Sequence, residues 1–262
     1  MIRAMNTSAS GMYAQELYID MIANNLANVN TTAYKKTRIE FQDLLYETLR
    51  MSGDANTPGD NPPVDIQVGH GARTISIQKS FGQGAVTLTN NTLDCAIMGD
   101  GFFQIAQNDG SVAYTRDGSF KMSSDGKIVT ANGYSLEPEI IVPADATELI
   151  ISQDGKVSAM ITGQVEPEEL GQIELARFIN PAGLANVGQN LYRETVNSGQ
   201  PIIGIPSEDG YGPLAQSNLE GSNVEVIEEM VNMIAAQRAY EINSKAIKTA
   251  DEMLTKASSL VR

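Results

Sequence analysis

The sequence predicts an α+β fold. Long N- and C-terminal helices pair as a coiled-coil stem, and an antiparallel β-rich domain is inserted between them. Three observations carry this reading. Apolar residues recur at helical spacing at both ends of the chain, hydrophobicity alternates with a period of two between them, and Asp-Gly and Asn-Gly dipeptides punctuate the alternating part.

At the N-terminus Ile2, Met5, Ala9, Met12, Ile19, Ala23 and Leu26 step by three and four, with Glu16 in the intervening slot. That is a coiled-coil-like seam sustained for about four heptads. It breaks at NTTAY, where two β-branched threonines follow Asn30. At the C-terminus the recurrence is eleven, in Val231, Ile242 and Met253 and again in Val224, Ala235, Ala246 and Ala257. An eleven-residue period keeps a seam nearly straight or slightly right-handed. Ser222 or Asn223 suits the N-cap, and Glu225, Glu228 and Glu229 favour the positive helix end. Residues 1–34 and 222–262 are therefore assigned to two paired helices, roughly 45 and 60 Å long.

Between them, RTISIQKSF puts Ile75, Ile77 and Phe81 in phase, and AVTLT, GFFQIAQ, KIVTANGYSL and ELIISQDGKVSAM continue the strand pattern. Asp109-Gly110, Asp117-Gly118, Asp125-Gly126, Asn132-Gly133 and Asp154-Gly155 supply hairpin turns. Residues 71–221 form the β-rich domain. Residues 35–70 join it to the first helix, and SGDANTPGDNPP at 52–63 is a linker by composition. Just before that linker, EFQDLLYETLR spaces Phe41, Leu44, Leu45 and Leu49 as one apolar face if the segment is helical.

Charge narrows the function classes. The net charge of −14 argues against a nucleic-acid binder, which needs a basic footprint. Residues 1–50 hold five basic and five acidic groups and residues 220–262 five and seven, so the middle, with eight and twenty, carries nearly all the acidity. No stretch approaches the ~20 apolar residues of a membrane span. The start has no apolar run of the length a secretory signal needs, so the expectation is a cytosolic chain or one exported without a cleaved signal.

Chemistry is hard to find. Cys95 is the single cysteine, which excludes an internal disulfide, and its apolar neighbours mark a small buried hydrophobe rather than a nucleophile. His70 is the single histidine, so no histidine-rich metal cluster and no HExxH motif exists. GxSxG, P-loop and complete GxGxxG motifs are absent, and the Asp-Gly sites do not fit the EF-hand template. Neither a catalytic site, a cofactor nor a metal is expected. The competing class is a secreted β-domain enzyme or binding module.

Three long motifs carry a resemblance. ANNLANVNTTAYKK near the start, GDGFFQI with YTRDGSF in the middle and EEMVNMIAAQRAYEINSKAIKTADEML near the end resemble the rod and hook family of the bacterial flagellum. They occur in the family's order and span essentially the whole chain. The length, and EFQDLLYETLR after the first helix, resemble a rod member with one inserted domain rather than the hook protein. Two sibling rod positions fit that description. The resemblance implies an axial structural protein whose terminal helices line a hollow core while the β-domain stands outside. Its partners would be further copies of itself in a helical homopolymer, other rod proteins, hook or hook-junction proteins, a cap during assembly, and periplasmic and outer-membrane rings acting as a bushing. Nucleic acid and direct membrane insertion are not implied. Export would run through the flagellar type III apparatus to a periplasmic rod. Where family members often have a glycine and an aromatic residue, this chain has Thr32, Ala33 and Tyr34, so the turn there is in question.

Candidate subunit contacts follow. Ile19 and Leu26 on the first helix, and Val231, Ile234, Ile242 and Met253 on the second, are assigned to the seams between copies. Asn24, Asn25 and Asn28 share one helical face and are assigned to orientation, because a mis-paired buried amide costs roughly 1–3 kcal/mol. Asn30 is read as the helix terminator. Phe41, Leu44 and Leu45 are assigned to bracing the inner helices against a neighbour's β-domain.

The terminal helices have only each other in a dilute monomer, and most helical stability comes from packing an apolar face. Limited proteolysis of the purified chain is therefore expected to trim both ends and leave a resistant core near residues 70–215. Full protection of both termini would contradict this.

Overall fold

The N-terminal helix α1 (Ile2–Ala27) and the C-terminal helix α2 (Val226–Leu260) are 26 and 35 residues long, about 39 and 52 Å at the standard rise. The computed structural model describes residues 2–50, 65–161 and 166–260, so the linker at 52–63 lies outside the described residues. The chain divides into two units. The first comprises Met1–Leu26, Thr37–Gln78 and Glu225–Arg262, and the second Ala27–Lys36 and Lys79–Val224.

In the first unit the helices run antiparallel. Asn25 meets Glu229, while Gly11 approaches Asn243 so closely that an added Cβ would sit 3.0 Å from its amide nitrogen. The face of α1 turned inward is Ala14, Met21, Ile22 and Asn25, with Leu17 and Tyr18 beside them. The expected seam lies elsewhere: Ile2 is 70% exposed, Ala9 and Ala23 are exposed, and Ile19 and Leu26 are half-buried. On α2 the inward positions are Glu229, Ala236, Asn243 and Ala250, one heptad apart. Small and polar residues on α2 let the two backbones approach, while Met21 and Ile22 of α1 pack with Ile39.

Beside the helices lies an extended ribbon, Thr37–Asp43 paired with Ala72–Lys79 and Tyr46–Arg50 paired antiparallel with Ile66–Gly69. The helical reading of EFQDLLYETLR is thus corrected to two strands. Alternation decides it. Ile39 is buried against Met21 and Ile22, and Phe41 packs edge-on to Tyr18 at 6.0 Å, while Glu40 on the opposite face accepts hydrogen bonds from Ser76 and Gln78. All of the strand Ala72–Lys79 but its last residue falls in this unit, and the long stretch of the second unit runs from Lys79 to Val224.

The paired strands described in the second unit are antiparallel. Its largest sheet is built around Phe102–Ala106, which pairs with Val112–Thr115, Ser135–Glu137 and Leu175–Arg177. Both faces of that central strand are covered, which explains the loose alternation of GFFQIAQ. Phe103 and Ile105 enter the main core with Leu136, Ile140, Val157 and Leu175. Phe102 enters a second cluster of aromatic edges with Phe81, Tyr114, Phe178 and Tyr192. A three-stranded sheet (Ala146–Ile151, Lys156–Ile161, Glu168–Gln172) closes the main core with Leu149, Ile151 and Ala159.

Four of the five Gly-containing turns place glycine in the left-handed region, at Gly110, Gly126, Gly133 and Gly155. Gly118 differs. It serves as a spacer, because a Cβ there would lie 1.6 Å from the Cys95 carbonyl oxygen, while the Gly118 carbonyl accepts the Cys95 amide at 3.0 Å. Gly118→Ala is expected to destabilise the β unit by about 1–3 kcal/mol through overpacking, read as a fall in its thermal midpoint. An unchanged midpoint would mean that the segments part without penalty.

Candidate assembly surface

The asparagine run at the end of α1 separates into distinct roles. Asn25 is fully buried, and a buried amide needs partners inside the fold. It finds them on the adjacent strand. Its Nδ2 donates to the Thr37 carbonyl at 3.0 Å, and its Oδ1 accepts from the Thr37 amide and hydroxyl, each at 3.0 Å. The same Nδ2 lies 3.4 Å from Glu229 Oε2 on α2. The assignment of Asn25 to contacts between copies is therefore corrected: it clamps strand and both helices of one chain. Asn28 ends the helix. Its carbonyl accepts the Thr31 amide at 3.1 Å and its side-chain oxygen the Thr31 hydroxyl at 3.2 Å. That is the terminator role assigned to Asn30, displaced by two residues. Asn24 is exposed on α1.

On α2 the structure separates two periodicities. The heptad positions face inward, whereas the eleven-residue positions within α2 face out; Val224, ahead of the helix, is buried. Val231 is 60%, Ile242 68% and Met253 48% exposed, with Ile227 and Ile234 also open. This chain therefore leaves an apolar stripe along much of a ~52 Å helix. A contiguous exposed stripe of that kind marks an interaction surface. The ribbon adds to the apolar exposure of this unit through Leu45, Tyr46, Leu49, Ile75 and Ile77. Of the bracing residues, Leu45 is open, Leu44 is half-buried and hydrogen-bonded through its amide to the Gly71 carbonyl, and Phe41 is shared with its own helix.

The second unit contains a charged cluster that sequence reasoning missed. Lys35 Nζ lies 2.6 Å and Arg116 Nε 2.8 Å from opposite oxygens of Glu220, with side-chain exposures of 0%, 5% and 1% for Lys35, Arg116 and Glu220. The Arg116 guanidinium also donates to the Gly99 and Gly101 carbonyls, Lys35 donates to the Gly82 carbonyl, and the Gly84 amide donates to Glu220. Burial pushes the Glu220 carboxyl up, but Arg116 and Lys35 outweigh it and hold it below the usual carboxylate range. Burial pulls the Lys35 ammonium down against the opposing attraction of Glu220. Nothing in the residue types along the chain distinguishes these three from surface charges.

Cys95 is fully buried, and burial pushes its thiol up to about 12, far from a nucleophile's range. His70 lies in the first unit, 3.8 Å from Glu47, which also pairs with Arg3 at 2.6 Å. Among the described residues no group of His, Cys, Asp or Glu is arranged to hold a metal, and no helix is long and apolar enough to cross a membrane.

Known families match successive parts of the chain. Residues 5–35 match the family described as flagella basal body rod protein, residues 96–159 the flagellar hook protein FlgE/F/G D1 domain, and residues 215–260 the flagellar basal body rod FlgEFG protein C-terminal family. The flagellar basal-body rod protein FlgG of Borreliella burgdorferi is 53% identical, over 100% of both chains. The protein of the same name from Buchnera aphidicola subsp. Schizaphis graminum is 46% identical over 99% of this chain and 100% of its own. The flagellar hook protein FlgE of Helicobacter mustelae is 30% identical over 85% of this chain but only 48% of its own.

Asn25→Leu is expected to disturb the monomer itself. It removes a helix-to-strand clamp and strips partners from Thr37, a loss of about 1–3 kcal/mol, measured as reduced helicity and earlier melting of the terminal helices by circular dichroism. Asn24→Leu, at an exposed position of the same helix, is the comparison and should lose less than Asn25→Leu. Equal behaviour of the two variants would contradict the clamp.

Proposed function

Because the chain belongs to the flagellar rod and hook protein family, we propose that it is the structural subunit of the distal rod, the hollow shaft that carries torque from motor to hook. Family membership gives the coarser statement outright: this is a basal-body rod component of the flagellum, with a structural role among axial proteins that polymerise. The end-to-end match to basal-body rod proteins carries the finer reading, since the hook relative is about twice as long as the part it shares with this chain.

The division of labour on α2 supports a polymer. Its heptad face holds α1, and its eleven-residue face is left for other copies. Polymer contacts of this kind are heterologous and repeat without closing. Each apolar side chain buried there contributes roughly 1.5–3 kcal/mol, repeated in every subunit. A nearly straight seam also suits a straight shaft. Of Phe41, Leu44 and Leu45, the exposed Leu45 keeps the bracing role, on an extended ribbon rather than a helix, bearing on a neighbouring copy. Export through the type III apparatus, a cap during growth, hook-junction partners and a bushing of periplasmic and outer-membrane rings complete the reading. The acidic second unit would face that bushing, where like-charge repulsion discourages sticking.

Two measurements test this. Cryo-tomography of isolated basal bodies carrying a tagged chain is expected to place the tag between the proximal rod and the hook; a tag on the proximal segment would move the chain to the sibling position. Replacing Val231, Ile234 and Ile242 by serine should leave the purified monomer's helicity and the β unit's melting unchanged, yet abolish rods and swimming. Normal rods from this triple variant would rule out the eleven-residue face as the assembly seam.

A further inference from the structure

Within the second unit, three separate stretches of chain are lashed to one another where they enter or leave it. They are 33–36, 80–84 and 220–223. Glu220 binds Lys35 and the Gly84 amide through its carboxylate, and its carbonyl accepts the Ala33 amide at 2.8 Å. Asn223 completes the lashing. Its Oδ1 accepts the Lys36 amide at 2.7 Å, and its Nδ2 donates to the Ser80 and Gly82 carbonyls at 2.9 and 3.0 Å. Arg116 anchors the whole to the sheet through the Gly99 and Gly101 carbonyls. Three of the four boundaries between the two units, at 36/37, 78/79 and 224/225, fall within a few residues of this collar; the fourth, at 26/27, lies at the end of α1.

We propose that the Lys35–Glu220–Arg116 collar is a positioning device for the rod, fixing the spacing of the entering and leaving strands rather than supplying the fold's stability. The inference rests on the rod reading above. Two observations support it. Buried ion clusters are commonly neutral or inferior to apolar side chains of similar volume for stability. What they supply instead is direction, because charge-assisted hydrogen bonds are short and tolerate little sliding. Second, Ala33 is held at φ 54, a left-handed conformation that alanine rarely adopts, and its amide is the one bonded to Glu220. Strain of that kind persists only where the surroundings over-determine the backbone. A collar that keeps these strands from shearing would stiffen the second unit where they enter and leave it.

The test uses the full-length chain in two variants. Glu220→Gln leaves two buried cations without a countercharge and is expected to lower the β unit's thermal midpoint by roughly 6–20 °C. The apolar replacement Lys35→Met, Arg116→Met, Glu220→Leu is expected to melt within a few degrees of the parent. In the apolar variant, hydrogen-exchange protection at the Ala33, Lys36 and Gly84 amides should fall at least ~10-fold, while the core amides of Ile105 and Leu136 keep theirs. Expressed in a strain lacking its own gene, that variant should build rods but swim poorly under load. A midpoint as low as that of Glu220→Gln would make the collar an ordinary stability element and overturn the proposal. Unchanged collar protection, or full swimming under load, would overturn it too. If the parent gene itself failed to restore swimming, the rod reading would fall instead.

Discussion

A carboxylate with no water around it has to be answered from within the protein, and the answer at Glu220 organises the second unit. Its two oxygens take an ammonium, a guanidinium and a backbone amide, and the guanidinium in turn holds two carbonyls of the strand-entry loop. These groups come from parts of the chain nearly two hundred residues apart, from Lys35 to Glu220. They can meet only when the β unit has formed and both of its ends have come back together. Removing one partner strands the others, which is why such a cluster behaves as a single object. Every strand of the unit lies between residues that this cluster joins.

The helices obey a different constraint. In the polymer proposed above, a single α2 would satisfy a partner in its own chain and still present something to other copies, and one helix cannot do both with one stripe. It uses two periods. The heptad of Glu229, Ala236, Asn243 and Ala250 follows α1, and the eleven-residue set of Val231, Ile242 and Met253 runs along another side. A heptad seam drifts left-handed around a straight helix and an eleven-residue seam does not, so the two faces do not keep a constant angle along the length. The inward face of α2 is small and polar and its outer stripe apolar.

This also explains what was legible in the sequence. The outer stripe was visible because apolar residues at fixed spacing are a signal whether or not their partner is present. The inner seam was not, because Glu229, Asn243 and alanine carry no hydrophobic period, and the α1 face that answers them includes Asn25. Asn25 itself was noticed for the right reason, its buried amide, and given the wrong partner, since nothing local says that Thr37 will lie beside it. The stretch around Phe41 was misread because Leu44 and Leu45 supply a helical offset. The alternation of Ile39 and Phe41 with Arg38, Glu40 and Gln42 was the truer guide. The charged collar left no trace at all. Among 18 basic and 32 acidic residues, a buried one looks like the rest until the fold surrounds it. The hairpin turns and the antiparallel middle read clearly because Asp-Gly and Asn-Gly act locally, independent of what packs above them.

The sealed thiol of Cys95 has a consequence for the order of events in the protein's life. A chain with one cysteine cannot oxidise internally, so in an oxidising compartment the disulfide open to it joins two copies. In the unfolded chain that sulfur is accessible. In the finished β core it is fully enclosed. Folding and oxidation are thus in a race, and the enclosure decides the winner for good once the core has closed. On the export route proposed above, closure of this core would end the interval in which covalent pairing is open to the chain.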